Sequence, residues 1–280
     1  PAPGYDRHFR VSQSFGMELI PIAMTPDGPD MDAVEAAVRD PAVKGIWCVP
    51  KYSNPQGIVY SDAVVDRPDF ALMWDNAYCL HEVYGEFVPF RDMLTLCREA
   101  GNADMVYEFA STSKITFPGA GVAVMAASEA NLKYLSGLLG AQTISYDKVN
   151  QLRHVRFLQD KAHVLELMQR HAAILRPKFE AVLAALRGIA PLNIASWTEP
   201  KGGYFVSCDA MPGTAKRTLA LCAGAGVTMT PAGATYPGGN DPADSNIRIA
   251  PSFPPVEELE QAMQIFCLAL RMAALEKLGI

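Results

Sequence analysis

Gly45-Ile46-Trp47-Cys48-Val49-Pro50 and, further along, Ala71-Leu72-Met73-Trp74-Asp75 are short apolar runs, each closed by a residue that ends or turns a strand. Neither alternates polar with apolar, so both predict strands covered on their two faces, as in a parallel sheet. Residues 105–109 and 120–127 repeat the pattern, with helical stretches between. Strands alternating with helices predict an α/β fold with a mainly parallel sheet flanked by helices.

On the N-terminal side of these runs, residues 15–22 predict an extended segment and residues 25–29 a turn. Residues 31–39 have the spacing of a short amphipathic helix capped by Asp30. On the C-terminal side, residues 147–187 predict one long helix interrupted at Pro177. A helix of that length suits a bridge between domains, which places a larger domain at 1–175 and a smaller α+β domain at 176–280. The latter is expected to hold a strand pair around 202–208 and 247–250 and a closing helix over 255–277.

The chain has 280 residues, half of them hydrophobic, 19% charged, and a net charge of -6. No basic run offers a surface to a polyanion, so nucleic acid is not an expected partner. No apolar stretch reaches the ~18 residues of a membrane span, residues 117–127 being broken by Pro118, Gly119 and Gly121. Cys48, Cys79, Cys97, Cys208, Cys222 and Cys267 form no CxxC pair and read as buried free thiols of a cytoplasmic protein. His8, His81, His154, His163 and His171 lack metal-ligand spacing, so no metal is expected. The opening residues read like the middle of a domain, and a further N-terminal part is expected to precede them.

In parallel sheets, ligands bind where loops leave the carboxyl ends of the strands, and Asn54, Asp75 and Lys114 fall there. Lys114 closes Ser111-Thr112-Ser113-Lys114 between Phe109-Ala110 and Ile115. An apolar setting desolvates its ammonium and lowers its pKa toward nucleophilic use, while a structural lysine remains the plain alternative. Taken separately, Asn54-Pro55-Gln56-Gly57 is a turn and Asp75, in Asp75-Asn76-Ala77-Tyr78, a helix cap.

Their joint order is more specific. Asn-Pro-x-Gly, then Asp-x-Ala-Tyr 21 positions after the asparagine, then Ser-x-Ser-Lys 39 positions after the aspartate, resembles the fold-type I pyridoxal-phosphate (PLP) aminotransferases of class I/II. Gly202-Gly203-Tyr204-Phe205 and Asn246-Ile247-Arg248-Ile249 resemble landmarks of that family's C-terminal domain. The nearest subgroup is that of aspartate aminotransferases related to MocR-type proteins.

The resemblance implies that Lys114 carries the cofactor through its amine and moves the substrate's α-proton. It implies that Asp75 pairs with the pyridine nitrogen, that Asn54 and Tyr78 bond the phenolic oxygen, and that Tyr5 stacks on the ring, a core tyrosine being the alternative. Ser111 and Ser113 would donate to the phosphate. Arg248 would fork onto the substrate α-carboxylate, with Asn54 beside it, where a lone arginine in a strand would otherwise turn to solvent. Gly121 departs from the pattern, standing where the family has a phosphate-binding arginine.

The implied activity is ping-pong transamination between an L-amino acid, aspartate, and a 2-oxo acid, 2-oxoglutarate. A homodimer is implied, with Lys148 or Arg153 as the second cation for a dicarboxylate. Two other functions stay open at this point: a MocR-like regulatory domain that senses a ligand, and a PLP-dependent lyase.

Overall fold

The computed structural model describes residues 1–60, 70–89 and 92–280. It begins with helix α1 (Asp6–Ser14), and a two-stranded hairpin follows from β1 (Met24–Thr25) and β2 (Gly28–Pro29) across the expected turn. Residues 17–22, expected to be extended, join no sheet. The chain leaves α1 through Gly16 at φ 72, and α1 itself went unread because its apolar positions are few. Helix α2 (Met31–Ala37) starts where predicted, Asp30 accepting the Ala33 N–H at 3.1 Å.

Strands β3 (Gly45–Cys48) and β4 (Ala71–Asp75), helix α3 (Met93–Glu99), and strands β5 (Val106–Ser111) and β6 (Ala123–Ala126) build a sheet of order β3-β4-β5-β6. The first three strands run parallel, and β6 is antiparallel to β5. Coverage on both faces holds for β4 better than for β3. Gly45 is exposed and Trp47 half-buried because β3 is an edge of the described sheet. Cys48, Leu72, Trp74 and Val106 pack on Met93 and Cys97 of α3, giving the sheet its core. Cys48 pairs with Trp74 and Asp75 with Phe109, so three parallel strands deliver their carboxyl ends to one edge.

After β6 come α4 (Glu129–Gln142), α5 (Lys148–Leu158) and α6 (Lys161–Ile189). The long helix expected over 147–187 is two helices, and the break is not at Pro177. It falls at Gln159, whose φ is 56, and at Asp160, which caps α6 by accepting the His163 N–H. Proline in a helix interior costs about 3 kcal/mol. Here Pro177 is tolerated because Leu175 and Phe179 on either side are buried and Arg176 Nε donates to Val83 O at 3.1 Å.

The remaining elements are β7 (Ala195–Trp197), β8 (Val206–Ala210), α7 (Ala215–Gly224), β9 (Asn246–Ile249) and α8 (Val256–Leu278). The predicted strand pair is β8 with β9, antiparallel, and β7 adds a third strand. Phe179, Val182 and Leu186 of α6 meet Met263, Phe266 and Leu270 of α8 against Val206 and Ile247, forming the second core. A small third cluster of Val49, Tyr52 and Tyr78 has Tyr204 and Phe205 against it, and Tyr204 also packs on the second core. All six cysteines are free thiols, and among the described residues no helix is long and apolar enough to cross a membrane.

Candidate active site

Beside that third cluster the strand-end residues converge. Asp75 is the last residue of β4 and caps no described helix. Its Oδ2 lies 2.9 Å from Nε2 of His8, a residue that sequence reasoning set aside. His8 is buried and stacks on Trp47 with centroids 4.3 Å apart and planes 10° from parallel. Trp47 Nε1 donates to Ser12 Oγ at 3.0 Å and Ser12 Oγ to His8 O at 3.0 Å, which closes a ring of contacts around the imidazole. The available signal was spacing: Tyr5 and His8 are three apart at the start of a helix and so share a face. Their rings meet edge-on at 5.2 Å.

Lys114 ends a single 3-10 turn, Thr112–Lys114, directly after β5. Burial holds its amine below the ordinary lysine range, partly offset by the negative charge of Asp75. This matches the desolvation expected from its apolar neighbours. Lys114 Nζ stands 5.0 Å over the ring of Tyr78. Tyr78 is 4% exposed; burial above all, then Tyr5 and Asp75, push its phenol up, and Arg248 opposes them. Tyr5, Asp75 and Arg248 thus all lie near enough to bear on the Tyr78 phenol.

Asn54 is buried, and its Oδ1 accepts from Arg248 Nη1 at 3.1 Å. Arg248 therefore points inward from β9, away from the solvent-facing alternative. Nη2 reaches Thr230 Oγ1 at 3.5 Å, the guanidinium lies 4.8 Å over Phe205, and the buried Nε has no partner among the described residues. Thr230 went unread from the sequence because nothing in its local pattern marks it.

Ser111 and Ser113 face one another: Ser111 Oγ donates to Ser113 Oγ at 2.8 Å and accepts from Ser113 N at 3.0 Å. Gly121 packs against this pair. A Cβ there would stand 2.3 Å from Ser113 Oγ and 2.8 Å from Ser113 N, so a side chain at 121 requires Ser113 to shift. Lys148 and Arg153 lie exposed on α5, with Arg153 donating to Asn150 Oδ1 and lying 5.6 Å over Phe117. Among the described contacts neither bonds to Asn54, Asp75 or Arg248.

Lys51, also missed, is 2% exposed and forms an ion pair with buried Glu82. It donates to Cys79 O at 3.0 Å and to Val88 O at 2.6 Å. The pair ties the loop bearing Asn54 to the loop bearing Tyr78. A lysine directly after a strand-ending proline was the available clue.

The fold places the chain in a class: its structural neighbours are fold-type I PLP-dependent aminotransferases, and the α/β architecture is theirs. A family model described as aspartate amino-transferase matches residues 1–279, and the chain belongs to that family. An aspartate aminotransferase of Corynebacterium glutamicum is 46% identical, the match covering 99% of this chain and 66% of that protein. The crystal structure of an aspartate transaminase from the same organism superposes with a TM-score of 0.96 at 45% identity, over 99% of this chain and 68% of that one. The α-aminoadipate aminotransferase of Thermus thermophilus, solved with N-(5'-phosphopyridoxyl)-L-leucine, shares the fold with a TM-score of 0.80 at 23% identity, over 98% and 70%. The chain thus spans about two thirds of the length of these relatives.

Proposed function

We propose that the protein is a PLP-dependent aminotransferase that moves an amino group by a ping-pong route from an L-amino acid, aspartate, to a 2-oxo acid, 2-oxoglutarate. The observation that carries this reading is the convergence of Asn54 after β3, Asp75 and Tyr78 at and after the end of β4, and Lys114 after β5, with Arg248 turned inward onto Asn54.

The donor set fits the cofactor. A carboxylate backed by His8, an amine held below its usual pKa, a buried amide and a buried phenol match a pyridinium nitrogen, an aldehyde and a phenolic oxygen. Asn76 Oδ1 is buried without a partner among the described residues, another polar atom left over at the same edge. With a glycine at 121, no arginine reaches the phosphate from that position, and Ser111 and Ser113 would be the side chains that hold it. When bound, PLP supplies the electron sink that makes the substrate Cα–H bond acidic.

The chain's own residues do the rest. Asp75 would hold the cofactor's ring nitrogen in its positive form, and His8 keeps the Asp75 carboxylate oriented. Tyr5 would cover the face of the cofactor ring. Arg248 grips the α-carboxylate through its fork and Asn54 fixes the plane of that fork. Lys114, neutral more readily than an ordinary lysine, takes the proton from the substrate Cα at its Nζ and would pass it on to the bound cofactor. The similarity of the Corynebacterium aspartate aminotransferase supports aspartate as donor. Lys148 or Arg153 is proposed as the second cation, delivered across a homodimer, since neither bonds to the site within one chain. We further place the protein in the cytoplasm and the boundary between its two domains near residue 175.

The test mixes the full-length PLP-loaded protein with each amino acid and follows loss of the bound-cofactor absorbance. Aspartate and glutamate should react fastest. Release of pyruvate and ammonia from a substrate, with no new amino acid formed, would overturn transamination in favour of a lyase.

A further inference from the structure

Lys114 is held at both ends by one set of rings. Its amine lies over Tyr78, while its peptide oxygen accepts from the Tyr204 hydroxyl at 3.0 Å and faces His81 Nε2 at 3.3 Å. A carbonyl oxygen can only accept, so in this contact Nε2 carries the imidazole proton. Burial, the largest cause, drives the His81 pKa down to about 4, which keeps the ring neutral at pH 7. Its Nδ1 is buried and makes no hydrogen bond of normal geometry among the described residues.

The three rings stand edge-on to one another. His81 and Tyr204 are 5.1 Å apart at 83°, Tyr78 and His81 5.6 Å at 85°, and Tyr78 and Tyr204 5.9 Å at 86°. Tyr204 reaches this place through Gly202 and Gly203. A Cβ on Gly202 would stand 2.2 Å from His81 O and 2.4 Å from the Tyr52 ring. Gly203, at φ 79, donates its N–H to His81 O at 2.8 Å.

Such a pin has a mechanical purpose. A lone 3-10 turn holds its last peptide weakly, and any rocking there is magnified along the four-carbon stem to Nζ. We propose that Tyr204 and His81 are positioning residues whose two donors pin the Lys114 peptide oxygen, fixing where the amine is presented. Because Tyr204 leads into β8, the pin holds only while that segment is docked on His81. The inference rests on the reading of Lys114 as the reactive amine.

The test uses the full-length PLP-loaded protein with Tyr204→Phe, His81→Leu and His81→Gln, read by the pH midpoint of the bound-cofactor absorbance and by kcat against KM. Tyr204→Phe and His81→Leu should each lower kcat about tenfold, leave KM within about twofold, and shift the midpoint by about half a pH unit or more. His81→Gln keeps an N–H donor at similar reach and should restore most of both. Unchanged kcat and midpoint in Tyr204→Phe would overturn the proposal, and so would His81→Gln behaving like His81→Leu, which would assign the effect to packing. If Tyr204→Phe does not accumulate, the His81 pair decides alone. Lys114→Ala serves as control: a midpoint that survives it would overturn the reading of Lys114 itself, separately from the pin.

Discussion

Gly121→Ala adds one methyl group at a place where the structure leaves no room for it. The new Cβ would meet Ser113 Oγ at 2.3 Å, Ser113 N at 2.8 Å and Ser113 Cα at 2.9 Å. The hydroxyl can rotate away, but it would give up its bond with Ser111. The backbone contacts are the harder part, since relieving them requires Ser113 to retreat by roughly half an ångström, and Lys114 follows in the same turn. Overpacking of this kind costs about 1–3 kcal/mol. Urea unfolding of the full-length protein should therefore show a lowered midpoint at unchanged slope. Cofactor uptake should slow as well, because Ser113 and Lys114 both move. Ser113→Gly in the Gly121→Ala background should recover only part of the loss, the backbone N and Cα remaining in place. If Gly121→Ala changed stability by under about 0.5 kcal/mol and loaded cofactor normally, the account of why no arginine stands there would be refuted.

Lys114→Ala should abolish transamination by several orders of magnitude and remove the site that borohydride traps, and trapping on another lysine would contradict the assignment. Arg248→Lys keeps the charge but loses the fork and the bond to Asn54. At about 1.5–3 kcal/mol per charge-assisted bond, the KM for aspartate and alanine alike should rise at least about tenfold, and a penalty confined to aspartate would count against an α-carboxylate role. His81 titrates at about 4 when folded against about 6.5 when unfolded. The unfolded chain binds the extra proton in that window, so this residue's contribution is intact above pH 6.5 and falls by roughly 3 kcal/mol as pH drops to 4. Denaturant unfolding of wild type and His81→Gln between pH 7 and 4.5 checks this, equal slopes in the two refuting it.

What the sequence alone determined rests on local physics. Apolar runs ending at Val49, Trp74 and Phe109 are unaffected by where the rest of the chain goes, and they placed the parallel strands and brought Asn54, Asp75 and Lys114 to one edge. The desolvation of Lys114 was legible in its apolar neighbours for the same reason. Pro177 misled because its local penalty is real but smaller than the packing of α6 on α8 that opposes it, while the true break needed only Gln159 and a capping Asp160. Residues whose role depends on distant partners were beyond local reading. His8 lies 67 positions from Asp75, Lys51 lies 31 from Glu82, and Tyr204 lies 90 from Lys114. No spacing rule links such pairs, because the contact exists only after the sheet edge, α1 and the loop before β8 have come together. Gly121 belongs to both levels. Its identity was visible as a departure from a pattern, but only the position of Ser113 in three dimensions shows that a side chain there is crowded.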